Sequence, residues 1–288
     1  MKVSYQLLLS VIFVIIFSNT SWASKKNIDD LIEIRGEFIE GAILFGKTSP
    51  DTLLFFQNKA IKLTTDGQFV LGLHRDEKPN ATLKIITSDG TKLEKQITIA
   101  DREYQIQRID GLPKSKVTPR GKKLMKRIQD EIKMAKNARD RVDNRLDFLQ
   151  PFIWPATGRI SGVYGSQRIL NGSPRRPHFG VDIAKPTGSP VIAPTDGVIT
   201  LAHPDMFFSG GTIILDHGFG LSSSFLHLSK LHVKVGQRVN QGDLIGEIGA
   251  TGRVTGAHLD WRMNWLDKRV DPQTLVPPMQ TVLNQSGK

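Results

Sequence analysis

Between Ile32 and Ile109, apolar and β-branched residues come in short clusters, "AILFG", "LLFF", "FVLGLH", "LKIIT" and "KQITI", parted by turn residues. Asp66-Gly67 and Asp89-Gly90 are the clearest turns, since such dipeptides supply the positive φ angles that tight hairpins need. The pattern predicts a small antiparallel β-sandwich within residues 25–112. After "GLPKSKVTPRG" the period changes. Leu124, Ile128, Ile132, Ala135, Ala138, Val142, Leu146 and Leu149 recur every three or four residues, which predicts one amphipathic helix over Lys122 to Gln150, within a linker-and-helix segment 113–150. Its other face is basic, with ten basic against five acidic residues between Arg120 and Asp147, and reads as the solvated side of a connector. From Pro151 onward Gly, Val and Ile dominate and turns recur in "PTGSP", "PTDG", "DHGFG", "KVGQRV" and "NQGDLIG", which predicts an all-β domain over 151–276. The tail, 277–288, has little to bury and is expected to be loose. The predicted fold class is therefore mostly β, an antiparallel β-sheet domain preceded by a small β-sandwich and a connecting α-helix.

The amino-terminal end follows neither period. Residues 1–24 hold a basic Lys2, an apolar run from Leu7 to Phe17 broken only by Ser10, and a Ser21-Trp22-Ala23 ending. That is the layout of a secretory signal peptide, and the run falls short of the roughly 20 residues a membrane span requires. Cleavage after Ala23 or Ser24 is expected, with no stable membrane span afterwards and a location in the periplasm or cell envelope. The remaining length of about 265 residues suits two domains.

Composition then narrows the chemistry. There is no cysteine, so an exported chain of this kind has no disulfide framework, no thiolate nucleophile and no zinc ribbon, and any metal ligand must be His, Asp or Glu. A net charge of +11 favours an anionic partner: nucleic acid, a membrane surface or a cell-wall polymer. Export, and the lack of any helix-turn-helix, aromatic RNA-binding strand or zinc-finger spacing, argue against nucleic acid.

Six of the seven histidines lie beyond Pro151. His74, amid Arg75, Asp76 and Glu77, reads as a solvated loop residue. His203 before Pro204, His217 in an Asp-His-Gly turn and His232 at a strand start read as structural or solvated. The other three stand in "RRPHFGVDIAKPTGSPVIAPTDGVI", "SSSFLHLSKL" and "TGAHLDWRM". On a strand, His258 and Asp260 share a face with α-carbons roughly 6.6 Å apart, so both can aim at one point. His178 and Asp182 would lie about 13 Å apart on a straight strand, and meet only if the chain bends. Pro177 and Gly180 permit the bend.

From about Gly158 to Pro272, the order of these motifs and the intervening "GQRVNQGDLIGEIGATG" hairpins resemble the lysostaphin-type zinc metallopeptidases, peptidoglycan endopeptidases with a duplicated hybrid motif fold. The resemblance implies one zinc ion per chain, with His178 and Asp182 as ligands from an HxxxD motif. It places His258 on the first, non-ligand position of an HxH motif and His227 on the family's other non-ligand histidine, both assisting catalysis. Asp260 stands where the family has its third ligand histidine.

Two readings of Asp260 follow. In the first it replaces the imidazole as a zinc ligand, and the chain is an exported endopeptidase acting through a metal-activated water on stem peptides or cross-links of peptidoglycan. Two anionic ligands would then cancel the dication and make that water less acidic. In the second the metal is lost or weak, and the domain is a cell-wall binding module that recruits or activates an amidase. Other cell-wall proteins are possible partners on either reading. Arg168, Arg175 and Arg176, near the first motif, are candidates to meet stem-peptide carboxylates. A wall-anchoring protein that binds glycan ranks third, because adhesion does not call for this set of side chains.

Overall fold

The structure is a computed structural model and describes residues 27–109, 121–170 and 172–286. The expected signal peptide, 1–24, lies outside them. β1 (Ile32–Arg35), β2 (Ile43–Thr48), β3 (Leu53–Phe56), β4 (Lys59–Ile61), β5 (Gln68–Gly72), β6 (Asn80–Ile86) and β7 (Lys92–Thr98) form two antiparallel sheets, ordered β1-β2-β5 and β4-β3-β6-β7. Alternation decides which side chains go inward: β6 buries Ala81, Leu83 and Ile85 and leaves Thr82, Lys84 and Ile86 only partly covered. Asp89-Gly90 closes the β6–β7 hairpin with Gly90 at φ 81°. Asp66-Gly67 makes a different turn, because β4 and β5 belong to different sheets and it carries the chain across. Gly67, at φ 77°, is required there, since a side chain would strike the Thr48 carbonyl.

β8 (Ile106–Ile109) leaves this unit before α1 (Lys122–Arg139). The helix sets Ala135 and Ala138 on Leu201, Met206 and Ile214. It stops well short of Gln150, although the apolar stripe continues. Asp140, Asp143, Asn144 and Asp147 are poor helix formers whose side chains compete for backbone partners. Tertiary bonds hold the stretch open: Phe219 N donates to the Asp143 carbonyl and Phe148 N to the His217 carbonyl. Arg145 bonds Asp143, Asp147 and Asp216.

The remaining strands are β9 (Arg159–Gly162), β10 (Gln167–Leu170), β11 (Ser173–Pro174), β12 (Val181–Ala184), β13 (Pro190–Ile192), β14 (Gly197–Met206), β15 (Gly210–Asp216), β16 (Leu221–Leu231), β17 (Arg238–Val239), β18 (Leu244–Ile248), β19 (His258–Trp265) and β20 (Lys268–Val270). Ten of them make one antiparallel sheet with the path β17-β14-β15-β16-β19-β12-β9, and β13, β18 and β20 attached beside it. β10 pairs instead with β11 and, in parallel, with β8, which ties the amino-terminal half to the loop before His178. The tail is ordered where it was expected to be loose. Residues Met279–Ser286 form α2, Met279 enters the core, and the Pro277 carbonyl accepts from Trp154 Nε1 at 2.8 Å. Among the described residues no helix is long and apolar enough to cross a membrane.

The two halves share core. Phe148, 1% exposed, stacks on Phe45 of β2 at 6.3 Å between ring centroids and on Phe219 at 4.9 Å. Asp271, fully buried, pairs with Arg102 Nη1 at 2.7 Å while its amide donates to the Gly41 carbonyl. Removing the Phe148 ring deletes contacts to both halves at once, so Phe148→Ala is expected to lower unfolding free energy by about 3 to 5 kcal/mol, measured from denaturant midpoints. A loss below about 1 kcal/mol would mean the ring does not couple them.

Candidate metal centre

Along β19, alternation turns Leu259, Trp261 and Met263 into the core, each fully buried, and leaves His258, Asp260, Arg262 and Asn264 on the other face. β12 pairs with β19 so that Asp182 stands directly opposite Asp260 and Ala184 opposite His258. The β12–β9 ladder slips between Asp182 and Ile183. His178 precedes β12 in an irregular run held by two backbone bonds, from His178 N to the Ser166 carbonyl and from Gly165 N to the His178 carbonyl, each 2.8 Å. The bend brings His178 Nε2 to 3.2 Å from Asp182 Oδ1. One ligand atom from each of His178, Asp182 and Asp260 lies within 4.8 Å of the others, so these three side chains could hold a metal ion.

The donor set fits a cation. Among the described residues His178 Nε2 and Asp182 Oδ1 are both buried without a hydrogen-bond partner, near each other but not aligned as donor and acceptor. Buried polar atoms are normally paired, and two carboxylates directly opposite across a strand pair repel. An ion among them relieves both conditions. His178 feels the same field: burial works against its protonated form, yet Asp182 and Asp260 together raise its pKa above the usual value. Two glycines make the room. A side chain on Gly162 would collide with the Asp182 carboxylate, and one on Gly180 would come within 2.5 Å of Asp260 Oδ1.

Asp260 is not free. Arg262 Nε donates to Oδ1 at 2.9 Å and Oδ2 at 3.0 Å, and Nη2 donates to Oδ2 at 2.5 Å. Burial alone would raise the Asp260 pKa, but Arg262, helped by His178 and His227, brings it down to about 2. Asp260 is therefore an anion that already carries its own counter-charge, which alters the charge count expected from two bare carboxylates.

Two imidazoles flank the group. His227 Nδ1 lies 2.9 Å from the Thr251 carbonyl and His258 Nδ1 2.9 Å from the Gly256 carbonyl. A carbonyl only accepts, so each Nδ1 carries a proton, and each Nε2 is the ring nitrogen turned toward the site. Those Nε2 atoms face the carboxylates: His227 is 3.9 Å from Asp260 Oδ2 and His258 is 3.8 Å from Asp182 Oδ1, with the rings 4.9 Å apart. Burial first, then His258 and Arg262, depress the His227 pKa and keep it neutral. His227 adopts φ 67°, a left-handed conformation costly for a residue with a side chain, and its amide donates to the Ser209 carbonyl. Thr251 Oγ1 holds the turn by accepting from Gly211 N and donating to the Leu228 carbonyl.

Of the three arginines near the first motif, Arg176 joins the site's surroundings, over the Phe179 ring at 5.5 Å. Arg168 Nε donates to Gln107 at 3.2 Å, and Arg175 Nε is buried without a partner among the described residues. The sequence pattern did not point to Arg139 at the end of α1 or to Arg269. Burial and the charges of Arg262 and Arg176 push the Arg139 pKa down to about 10, and Arg269 donates to Asn264 at 2.7 Å. The wall beside the metal group is thus strongly basic. Arg262 and Asn264 were discoverable, since they continue the alternation that selected His258 and Asp260; Thr251, Gly162 and Arg139 reach the site through tertiary contacts that no local pattern encodes.

The model of peptidase family M23 matches residues 176–272. Peptidoglycan DD-endopeptidase ShyA of Vibrio cholerae is 41% identical over 108 residues, 36% of this chain and 24% of that protein. DD-carboxypeptidase/endopeptidase Mpg of Neisseria meningitidis is 32% identical over 130 residues, 45% of this chain and 29% of that protein. The chain spans less than a third of the length of either. A crystal structure assigned to peptidase M23 from Pseudomonas aeruginosa is 29% identical and covers 83% of this chain and 95% of its own, with a TM-score of 0.64. At that coverage the likeness extends well beyond residues 176–272.

The remaining histidines are structural, though not all as expected. His74 is half-buried and packs on Phe179, next to His178, at 5.7 Å between ring centroids. His203 lies within β14, which runs on through Pro204, and His232 follows β16 and bonds Glu247 at 3.1 Å. His217 is fully buried, with Nδ1 on the Asp196 carbonyl and Nε2 on the Ser223 hydroxyl, both at 2.8 Å. Burial pushes its pKa down to about 4. Between pH 6.5 and 4 the unfolded chain binds a proton there and the native protein does not, so this contribution to stability is complete above pH 6.5 and declines as pH falls. Acidification from pH 7 to 4 should cost about 3 kcal/mol through this one group. Unfolding free energies across that range should fall less steeply for His217→Gln; equal slopes would disprove the assignment.

Proposed function

We propose that this chain, which belongs to peptidase family M23 through residues 176–272, is an exported zinc-dependent endopeptidase that hydrolyses stem peptides or cross-links of peptidoglycan. The observation that carries the reading is the convergence of His178, Asp182 and Asp260 within 4.8 Å, flanked by two imidazoles whose Nε2 atoms face inward. His, Asp and Asp side chains are ordinary zinc ligands. The ShyA and Mpg names support peptide bonds of the cell wall as the substrate, and the apolar leader ending at Ala23 supports export to the periplasm or envelope. A net charge of +11 and the basic wall formed by Arg139, Arg176 and Arg269 suit an anionic polymer.

When bound, zinc supplies Lewis acidity toward a scissile carbonyl and lowers the pKa of water. The chain's own residues do the rest. His227 and His258 divide the proton work: one Nε2 takes a proton from the attacking water, and the other stabilises charge on the carbonyl oxygen or delivers a proton to the leaving amine. Thr251 and Gly256 hold both Nδ1 atoms through their carbonyls, so each Nε2 points into the site before substrate arrives. No side chain is required as a covalent nucleophile.

One observation favours the second reading, a wall-binding module that recruits an amidase: Asp260 already has Arg262 on both oxygens. Metal analysis and sacculus digestion separate the two. The purified protein is expected to hold one zinc and release peptides from sacculi. His178→Ala should lose both, and His258→Ala should keep the metal while turnover falls about a hundredfold or more. Metal-free protein that releases nothing would leave the module as the answer.

A further inference from the structure

Arg262 has no part in the ligand set read from the sequence, yet it is the group that Asp260 touches most. Its contacts are bidentate, at 2.9 and 3.0 Å from Nε and 2.5 Å from Nη2. The pair is built into the sheet. Arg262 and Asp260 are two residues apart on one face of β19, and the neighbouring position across the ladder is Gly180, where a side chain would come within 2.5 Å of Asp260 Oδ1 and 2.6 Å of the Arg262 stem. On the other side Arg262 stands opposite Ser224, whose hydroxyl is buried without a partner among the described residues. Among the described residues Oδ1 of Asp260 accepts one bond, from Arg262 Nε, and a carboxylate oxygen has two lone pairs. One position is therefore left for a metal.

Charge makes the pairing informative. Asp182 and Asp260 contribute two negative charges, and with a dication alone the site would be neutral. The Arg262 guanidinium raises that by one. The sum equals that of a site with one carboxylate and two neutral imidazoles. Ligating carboxylates are commonly held by an outer hydrogen-bonding partner, and a planar guanidinium is the side chain best shaped to hold both oxygens.

We propose that Asp260 and Arg262 act as one ligand unit, a carboxylate carrying its own counter-charge that takes the place and the net charge of a neutral imidazole. Arg262 is the positioning residue of that unit. It fixes the Asp260 carboxylate, keeps the loaded site cationic, and makes the aspartate and the arginine interdependent. The inference rests on the metal reading above.

A double-mutant cycle in zinc affinity tests it, using full-length processed protein and chelator competition, with thermal melting of each metal-free form to establish that it is folded. Asp260→His alone leaves the guanidinium uncompensated beside the dication and should weaken zinc binding about tenfold or more. Asp260→His with Arg262→Met should restore affinity to within about threefold of the starting protein. Arg262→Lys, which keeps the charge but not the fork, should recover only part of what Arg262→Met changes in the native background. If Asp260→His does not fold, Asp260→Asn with and without Arg262→Gln is read in the same way. A single variant that binds as well as the double one, or effects that simply add, would overturn the unit while leaving the metal site intact. Zinc binding that appears only after Arg262 is removed would instead make Arg262 a plug and overturn it. Failure of every form, including the unaltered protein, to bind zinc would remove the metal reading and the inference with it.

Discussion

Two carboxylates facing each other across one strand pair set the condition that the rest of the molecule meets. Asp182 and Asp260 are cross-strand neighbours in β12 and β19, and Asp260 is 2% exposed. Like charges in that relation are unfavourable, and more so out of water. Every polar group around them answers to this. Arg262 grips one carboxylate from the same strand. His178 comes to the other through a bend, and two imidazoles turn their Nε2 atoms inward. The site is one electrostatic arrangement, and its members make sense only together.

Holding that arrangement is the work of the fold. β16, β19 and β12 are adjacent in the large sheet, so His227, His258, Asp260 and Asp182 come from three neighbouring strands. Irregular backbone supplies the remaining adjustment: the ladder slip at Asp182, the left-handed turn at His227 and the non-strand run through His178. The amino-terminal half braces that last run. His74 packs on Phe179, Arg75 Nε donates to the Gly165 carbonyl at 2.9 Å, and β8 pairs with β10. Gly165 leaves space for the Tyr104 ring, which an added side chain would strike. The amino-terminal half thus supports the loop that carries His178.

Much of this was legible in the sequence. Two-residue alternation marks the strands, the Asp-Gly turns mark their ends, and the i, i+2 spacing of His258 and Asp260 places both on one face. What escaped had physical reasons. The apolar stripe from Leu124 to Leu149 has helical period throughout, but Asp143 and Asp147 give the second part tertiary bonds, to Phe219 N and Arg238, that a helix would forfeit. His74 looked solvated because its neighbours are charged, while the ring it meets is distant in sequence. The tail gained order from Met279, whose burial depends on a surface only the folded sheet provides. Arg262 was the instructive omission: the alternation that selected His258 and Asp260 reaches it next, and its charge is what makes an aspartate suitable at that position.

Crystals grown with zinc and measured at the zinc absorption edge test the central claim most directly. One anomalous peak is expected, bonded to His178 Nε2 and to the carboxylates of Asp182 and Asp260, with Arg262 still on Asp260 and both imidazole Nδ1 atoms still on their carbonyls. A peak that bypasses Asp260, or no peak among these residues, would contradict it.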